Sequence, residues 1–308
     1  MTLSRSFTLS LPASAAAVIA ALSFALAEPK APFEPRVGQS GKDVIWVPTA
    51  QALVDRMLNL AEITPADLLM DLGSGDGRTV ITAASRGTRA IGVEYNPEMV
   101  VLSRRNAKVA GVSERATFME ADLFATDFSK ATVVTMFLLP SINLKLRPKI
   151  LEMRPGTRVV SNSFDMGDWR PEQTVEAPGE CTSYCRAHLW IVPAKVEGTW
   201  KLPEGDMRLE QTYQTLHGTL RSGNSTMNIT DGKVIGETVS FIAGDTRYTG
   251  RVNGNAIEGL SPRELMSRFR SSYHLAAPSF TNFGIGTLKT FESSGFGSEV
   301  RRSDSPRE

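Results

Sequence analysis

Two hydrophobic rhythms divide this chain. From residue 44 to residue 194, short apolar runs alternate with stretches whose apolar residues return every three or four positions. Beyond Val196 the repeat shortens to two, punctuated by glycines. Leu53, Val54, Met57, Leu58 and Ala61 predict a helix behind Thr49 as N-cap. Asp67-Leu68-Leu69-Met70 reads as a buried strand, Arg78 to Ala84 as a helix, and Arg89 to Glu94 as a second strand. Asn96-Pro97 pairs a capping residue with proline at the first helical position, and Gly111 ends that helix. Ala116 to Glu120 and the continuous apolar run Thr132 to Leu139 supply two further strands, the latter typical of a sheet covered on both faces. A helix carrying Ile142, Leu144, Leu146, Ile150 and Leu151 follows, with Pro148 expected to kink it. A fifth strand spans Thr157 to Phe164, and the pair Thr174 to Ala177 and Tyr184 to Val192 closes the sheet as an antiparallel hairpin. The fold class is α/β, a doubly wound parallel sheet over residues 44–194.

The second rhythm predicts a small all-β domain, a barrel or curled sheet, over residues 195–260. Met207 to Tyr213, Thr238 to Ile242 and Arg247 to Val252 alternate, and Gly244-Asp245 and Gly254-Asn255 are hairpin turns. Patterning fails after Leu260, so residues 261–308 read as a largely disordered tail. Gly259 looks like the middle of a hairpin, which leaves the barrel short of a closing strand. Such a domain either presents a substrate or serves stability and assembly.

The first residues follow another logic. Arg5, an apolar stretch from Leu9, and the ending Ala25-Leu26-Ala27 predict a signal peptide over residues 1–27 and export after cleavage. The alternative is an uncleaved membrane anchor, although Pro12 and the interspersed serines make a poor permanent span. Residues 28–43, rich in Pro, Gly and Lys, read as a flexible lead-in. The net charge of +1 announces neither nucleic acid nor an anionic surface as partner. Cys181 and Cys185 pair if a tight hairpin folds the segment back; along a straight strand they would stand about 13 Å apart, out of reach. With three histidines, none at ligand spacing from these thiols, no metal site is expected.

Chemistry concentrates in Met70-Asp71-Leu72-Gly73-Ser74-Gly75-Asp76-Gly77-Arg78, a glycine-rich turn between strand and helix. Such a turn lets the backbone approach a ligand and aims helix N–H groups at it. Glu94, about 20 residues on, ends the next strand where a carboxylate meets a ribose. A dinucleotide turn carries G-x-G-x-x-G and tolerates a pyrophosphate. Here the glycines run G-x-G-x-G beside Asp71 and Asp76, carboxylates that repel a pyrophosphate but suit an ammonium and a sulfonium. S-adenosylmethionine (SAM) carries both. Asp122, after the third strand, either meets an adenine amino group or caps the next turn.

These segments, together with Trp46-Val47-Pro48-Thr49, Ala131 to Leu139 and Pro155 to Ser161, resemble class I SAM-dependent methyltransferases. More narrowly they resemble archaeal broad-specificity protein-lysine methyltransferases and the enzymes that methylate the ATP synthase c-subunit. The resemblance covers residues 44–192 and implies a Rossmann-like fold. It also implies that Asp71, Gly73, Gly75 and Gly77 hold the methionine part of SAM, Glu94 the ribose, and Asp122 with Leu123 the adenine.

Methyl transfer to an amine needs positioning and a neutral nucleophile, and an apolar aromatic channel favours the neutral form. Phe137, Phe164, Trp169 and Trp46 are candidates to build one; Asp165 and Asp168 are candidates to orient the ammonium or take its proton, or are turn formers. Strand four ends Phe137-Leu138-Leu139-Pro140, without the Asn-Pro-Pro-Tyr run expected for base or glutamine-amide methylation. The acceptor is a protein lysine or a small molecule. The rival reading is an exported SAM- or nucleoside-binding protein without transfer.

Overall fold

The described part of the first half folds as one seven-stranded sheet with helices between its strands. The computed structural model describes residues 33–177, 179, 181–203, 205–264 and 300–303. The expected signal peptide lies outside them. The elements are α1 (Gln51–Leu60), β1 (Leu68–Leu72), α2 (Arg78–Ser85), β2 (Arg89–Glu94), α3 (Pro97–Val109), β3 (Ala116–Glu120), β4 (Val133–Met136), α4 (Pro140–Leu151), β5 (Arg158–Asn162), β6 (Gln173–Glu176) and β7 (Arg186–Ile191). The strands lie in the order β3-β2-β1-β4-β5-β7-β6. β1 to β5 are parallel, and β7 runs antiparallel between β5 and β6. The strand order reverses at β1 and β4, which opens a crevice at their carboxyl ends.

Two apolar cores cover the two faces. Leu53, Val54, Met57 and Leu58 turn one stripe of α1 onto Val160, Ala187 and Leu189. Behind the sheet, Met136, Ile142, Leu146, Trp169 and Trp190 form the second core. All four residues of β4 are buried, as its unbroken apolar run requires. α3 is capped as expected, with Asn96 Oδ1 accepting from the Glu98 amide at 2.9 Å, a contact worth about 1 kcal/mol. α1 starts one residue later than expected, after Ala50. Thr49 is occupied elsewhere, its hydroxyl accepting from Asn162 Nδ2 at 3.1 Å. Pro148 lies inside α4, which runs on to Leu151.

The second half is a closed barrel of β8 (Gly198–Leu202), β9 (Gly205–Thr212), β10 (Thr215–Ser222), β11 (Ser225–Ile235), β12 (Thr238–Ala243), β13 (Thr246–Asn253), β14 (Ala256–Glu264) and β15 (Val300–Arg302). Trp200, Met207, Phe241 and Ile257 are among the side chains filling it. Two expectations are corrected here. The barrel does close: β15 pairs with β14 and β8, so residues 300–302 and 261–264 belong to the sheet rather than to a disordered tail. Gly259 is no hairpin tip. It sits inside β14 at φ +63°, where the register against β13 shifts between Thr249 and Arg251. It marks a bulge, which looks like a turn in sequence because both need a left-handed residue.

The barrel packs directly onto the sheet domain. Tyr213 stacks on Trp169 with centroids 6.0 Å apart, under the Arg147 guanidinium at 5.3 Å. Gln214 Nε2 donates to the Arg170 carbonyl at 2.7 Å, and Lys233 Nζ lies 2.6 Å from Glu172.

The flexible lead-in is also corrected in part. Gly38 and Trp46 join by amide to carbonyl at 2.9 Å, Trp46 donates back to Gln39 at 2.9 Å, and Ser40 bridges Ile45. Residues 38–46 are a tight hairpin held by backbone pairing, which leaves no apolar signature.

Candidate functional site

The carboxyl ends of β1, β2, β4 and β5, with the loops that follow them, surround a cavity of about 620 Å³. That volume suits a ligand of nucleoside size. Gly73 and Gly75 take φ values of +79° and +53°, open to glycine at little cost. A β-carbon on Gly75 would lie 2.6 Å from Trp46 Nε1, so glycine here lets the indole settle on the loop. Gly77, by contrast, does not line the cavity. It precedes α2 at φ +83°, and a β-carbon there would meet Phe118 at 2.7 Å. The structure gives it a part in the turn and in close packing.

The carboxylates at the strand ends differ sharply in environment. Asp71 is buried, and Thr135 Oγ1 donates to it at 2.6 Å. Burial pushes its carboxyl up to about 7, against the pull of the Thr135 hydroxyl and with help from the nearby Glu94 and Asp76 charges. Glu94 accepts from the Gly75 amide and the Asn96 amide, each at 2.9 Å, so it fixes the shape of the glycine loop while lining the cavity. Asp76 is balanced by Arg78 at 2.6 Å, which removes it as a free charge for a cationic ligand. Asp122 caps its own turn through the Phe124 amide at 2.9 Å, as one of its two alternatives expects, and takes Lys42 Nζ at 2.6 Å; it and Leu123 also line the cavity. The side-chain hydrogen bond from Lys42 holds the Asp122 carboxyl below its ordinary range.

The lining is also aromatic in part. Phe137 and Phe164 stack with centroids 6.1 Å apart, and Tyr184 meets Phe137 edge-on at 5.1 Å and Phe164 at 5.9 Å. Tyr184 stands between Cys181 and Cys185, which form a disulfide with a Cα separation of 5.6 Å. The hairpin condition set by the sequence is met.

Three expected site residues are misplaced. Asp165 accepts from the Gly167 amide at 3.1 Å and serves a turn. Asp168 pairs with Arg147, and that hydrogen bond holds its carboxyl low. Trp169 is buried in the second core, its carbonyl accepting from Trp190 Nε1 at 2.7 Å. None of the three lines the cavity. The chain turns away after β5, where Ser163 sits at φ +60°, and the barrel's Tyr213 covers the segment. Lys42 and Tyr184 were missed; the cysteines flanking Tyr184 were the available signal.

The donor set fits SAM. Asp71, Glu94 and Asp122 lie in chain order around one crevice, and the buried Ser74 hydroxyl on the glycine loop finds no partner among the described residues.

Comparison with known proteins agrees. The model of the ANTKMT methyltransferase domain matches residues 71–173. A protein-lysine N-methyltransferase of Saccharolobus islandicus is 43% identical over 136 residues, covering 43% of this chain and 84% of that protein. The Mus musculus lysine N-methyltransferase named for the ATP synthase c-subunit is 41% identical over 107 residues, covering 34% of this chain and 43% of its own length. An RNA methyltransferase from Salinibacter ruber, solved in complex with S-adenosyl-L-homocysteine, is 49% identical with a TM-score of 0.46, covering 49% of this chain and 96% of that one. This chain is a SAM-dependent methyltransferase and belongs to the family of protein-lysine N-methyltransferases.

Proposed function

We propose that the acceptor is the side-chain amine of a lysine in a protein. The observation that carries this reading is the cluster of Phe137, Phe164 and Tyr184 in the cavity lining. SAM supplies a methyl group on a sulfonium, an electrophile whose leaving group departs neutral. The chain's own work is then to place an amine in line and keep it unprotonated. A free lysine amine has a pKa near about 10.4 and is charged at neutral pH. Contact with apolar ring faces removes water from the ammonium and lowers that value, so the proton is lost to solvent before the neutral amine attacks the methyl group and the sulfonium leaves as a thioether. Asp165 and Asp168, outside the cavity lining and engaged with the Gly167 amide and Arg147, are not given a part in this reading.

The names of the relatives support a protein acceptor, since those proteins act on lysines. Incubation of the purified chain with SAM and lysine-bearing protein acceptors, read by mass spectrometry, tests the proposal. Methylated lysine is the expected product. Methylation confined to nucleic acid or to small molecules overturns it.

Export is also part of the proposal. The Cys181–Cys185 bond supports it, because such bonds persist in oxidising compartments. N-terminal sequencing of the protein from an envelope fraction should begin at Glu28. An intact Met1 in the cytosol sinks this part.

A further inference from the structure

We propose that Tyr184 is a positioning residue for the acceptor side chain, presented to the cavity by the short disulfide loop, an inference that rests on the lysine reading above. Three observations converge on it. Tyr184 adopts φ +56°, a left-handed conformation rarely taken by a bulky residue and kept only where the surroundings over-determine it. On its backbone side the surrounding constraint is covalent: Cys185 is its immediate neighbour, and the bond to Cys181 closes the turn. On its side-chain side the ring meets Phe137 and Phe164.

The ring is nevertheless 45% exposed, which core packing alone does not explain. It lines the cavity beside Phe137 and Phe164, which belong to the segments that follow β4 and β5. An aromatic ring held in a strained turn, half in water and lining a cavity, offers a face to a ligand that arrives from solvent. A lysine side chain matches that face along its length, with alkyl carbons against the ring and the ammonium drawn to the π-system. The residues that fit SAM are Asp71, Glu94 and Asp122, whereas Tyr184 meets the two phenylalanines. Tyr184 therefore governs the acceptor and leaves the methyl donor alone.

The loop is the second part of the inference. Without the Cys181–Cys185 bond, nothing covalent holds residue 184 in its left-handed turn, and the ring samples positions away from the two phenylalanines. Removing the bond and removing the ring should then harm the same step.

The test compares wild type, Tyr184→Phe, Tyr184→Ala, Cys181→Ser/Cys185→Ser and the triple variant combining Tyr184→Ala with both serines. The acceptor is a lysine-bearing protein that wild type methylates. KM and kcat are measured for it, and the SAM Kd is measured by calorimetry. Tyr184→Phe, which keeps the ring, should give an acceptor KM between those of wild type and Tyr184→Ala. Tyr184→Ala should raise the acceptor KM about tenfold with the SAM Kd unchanged, which also certifies that the variant folds. The double serine variant should raise KM in the same direction, and the triple variant should be no worse than Tyr184→Ala alone, because both changes remove one element. An unchanged acceptor KM in Tyr184→Ala overturns the positioning role. A double serine variant that matches wild type, or effects that simply multiply, overturns the part given to the disulfide. If wild type methylates no lysine at all, the functional reading has failed before Tyr184 is examined, and this inference falls with it.

Discussion

Lys42 Nζ stands 2.6 Å from the Asp122 carboxylate, tying the hairpin of residues 38–46 to the loop that follows β3. Trp46, on the same hairpin, rests on Gly75, and both segments line the cavity. The pair is a fastening across the cofactor crevice. The hydrogen bond to Asp122 raises the Lys42 pKa and lowers that of Asp122, so both stay charged through neutral pH. Lys42→Ala should therefore speed SAM dissociation by about two- to fivefold, the modest scale of a solvent-exposed pair, and the change should shrink at high salt. Stopped-flow displacement of SAM measures it. Unchanged or slower release would show that the hairpin closes without the pair.

Glu94 bears on both ligand and loop. If it meets the ribose as expected, its removal takes away a charge-assisted hydrogen-bonding group worth about 1.5–3 kcal/mol. Glu94→Ala should weaken SAM binding tenfold or more on the scale of about 1.4 kcal/mol per decade. Because Glu94 also accepts from the Gly75 and Asn96 amides, the melting temperature should fall as well. Calorimetric titration and thermal unfolding read the two effects separately. Intact affinity with lowered stability would reduce Glu94 to a loop brace.

Asp71 supplies a pH dependence whose sign follows from its burial. Its folded pKa, about 7, lies above the ordinary value of 3.8, so the folded protein binds the extra proton between these limits. The stability this contributes is fully present below the ordinary value and is lost as pH rises through about 7. Cationic SAM prefers the ionised carboxylate, so its affinity should rise across the same interval and binding near pH 6 should release a proton. Calorimetry in buffers of different ionisation enthalpy counts that proton. No proton release in wild type, or equal release in Asp71→Asn, refutes the assignment.

The seam between sheet domain and barrel predicts the outcome of truncation. Trp169 is 1% and Trp190 0% exposed, and Tyr213 from the barrel stacks on the former. A chain ending at Ala194 should lose several degrees of thermal stability and shift its tryptophan emission to the red. Tyr213→Ala alone should cost about 1–3 kcal/mol, the range for a stacked aromatic with its buried area. Truncation without either change would show that the barrel is an appendage.

What could be read from sequence was local. The turn Gly73 to Gly77, the cap Asn96-Pro97 and the apolar run of β4 each specify their conformation within a few residues, and the sheet domain followed from them. Phe137 could be placed because it directly follows β4. Asp168 and Trp169 could not, because a long-range partner, Tyr213, and a cross-element ion pair with Arg147 decide where they lie. Lys42 escaped notice for a related reason: backbone pairing shapes its hairpin, and its carboxylate partner is eighty positions away. Barrel closure depended on Val300–Arg302, a short strand remote from the alternating pattern that betrayed the others.

That remote strand also sets an order of events during synthesis. Among the described residues β15 alone bridges β14 and β8, so on the ribosome the first barrel strand must wait for residues made long after it. The sheet domain, complete by Ile191, is free to form earlier. Until the bridge arrives, β8 and β14 each present an unpaired edge, the template on which neighbouring nascent chains associate. A proteolytic nick or premature stop before Val300 would fix the chain in that open state, and its consequence would be aggregation at the barrel even though every residue of the cofactor crevice had been made.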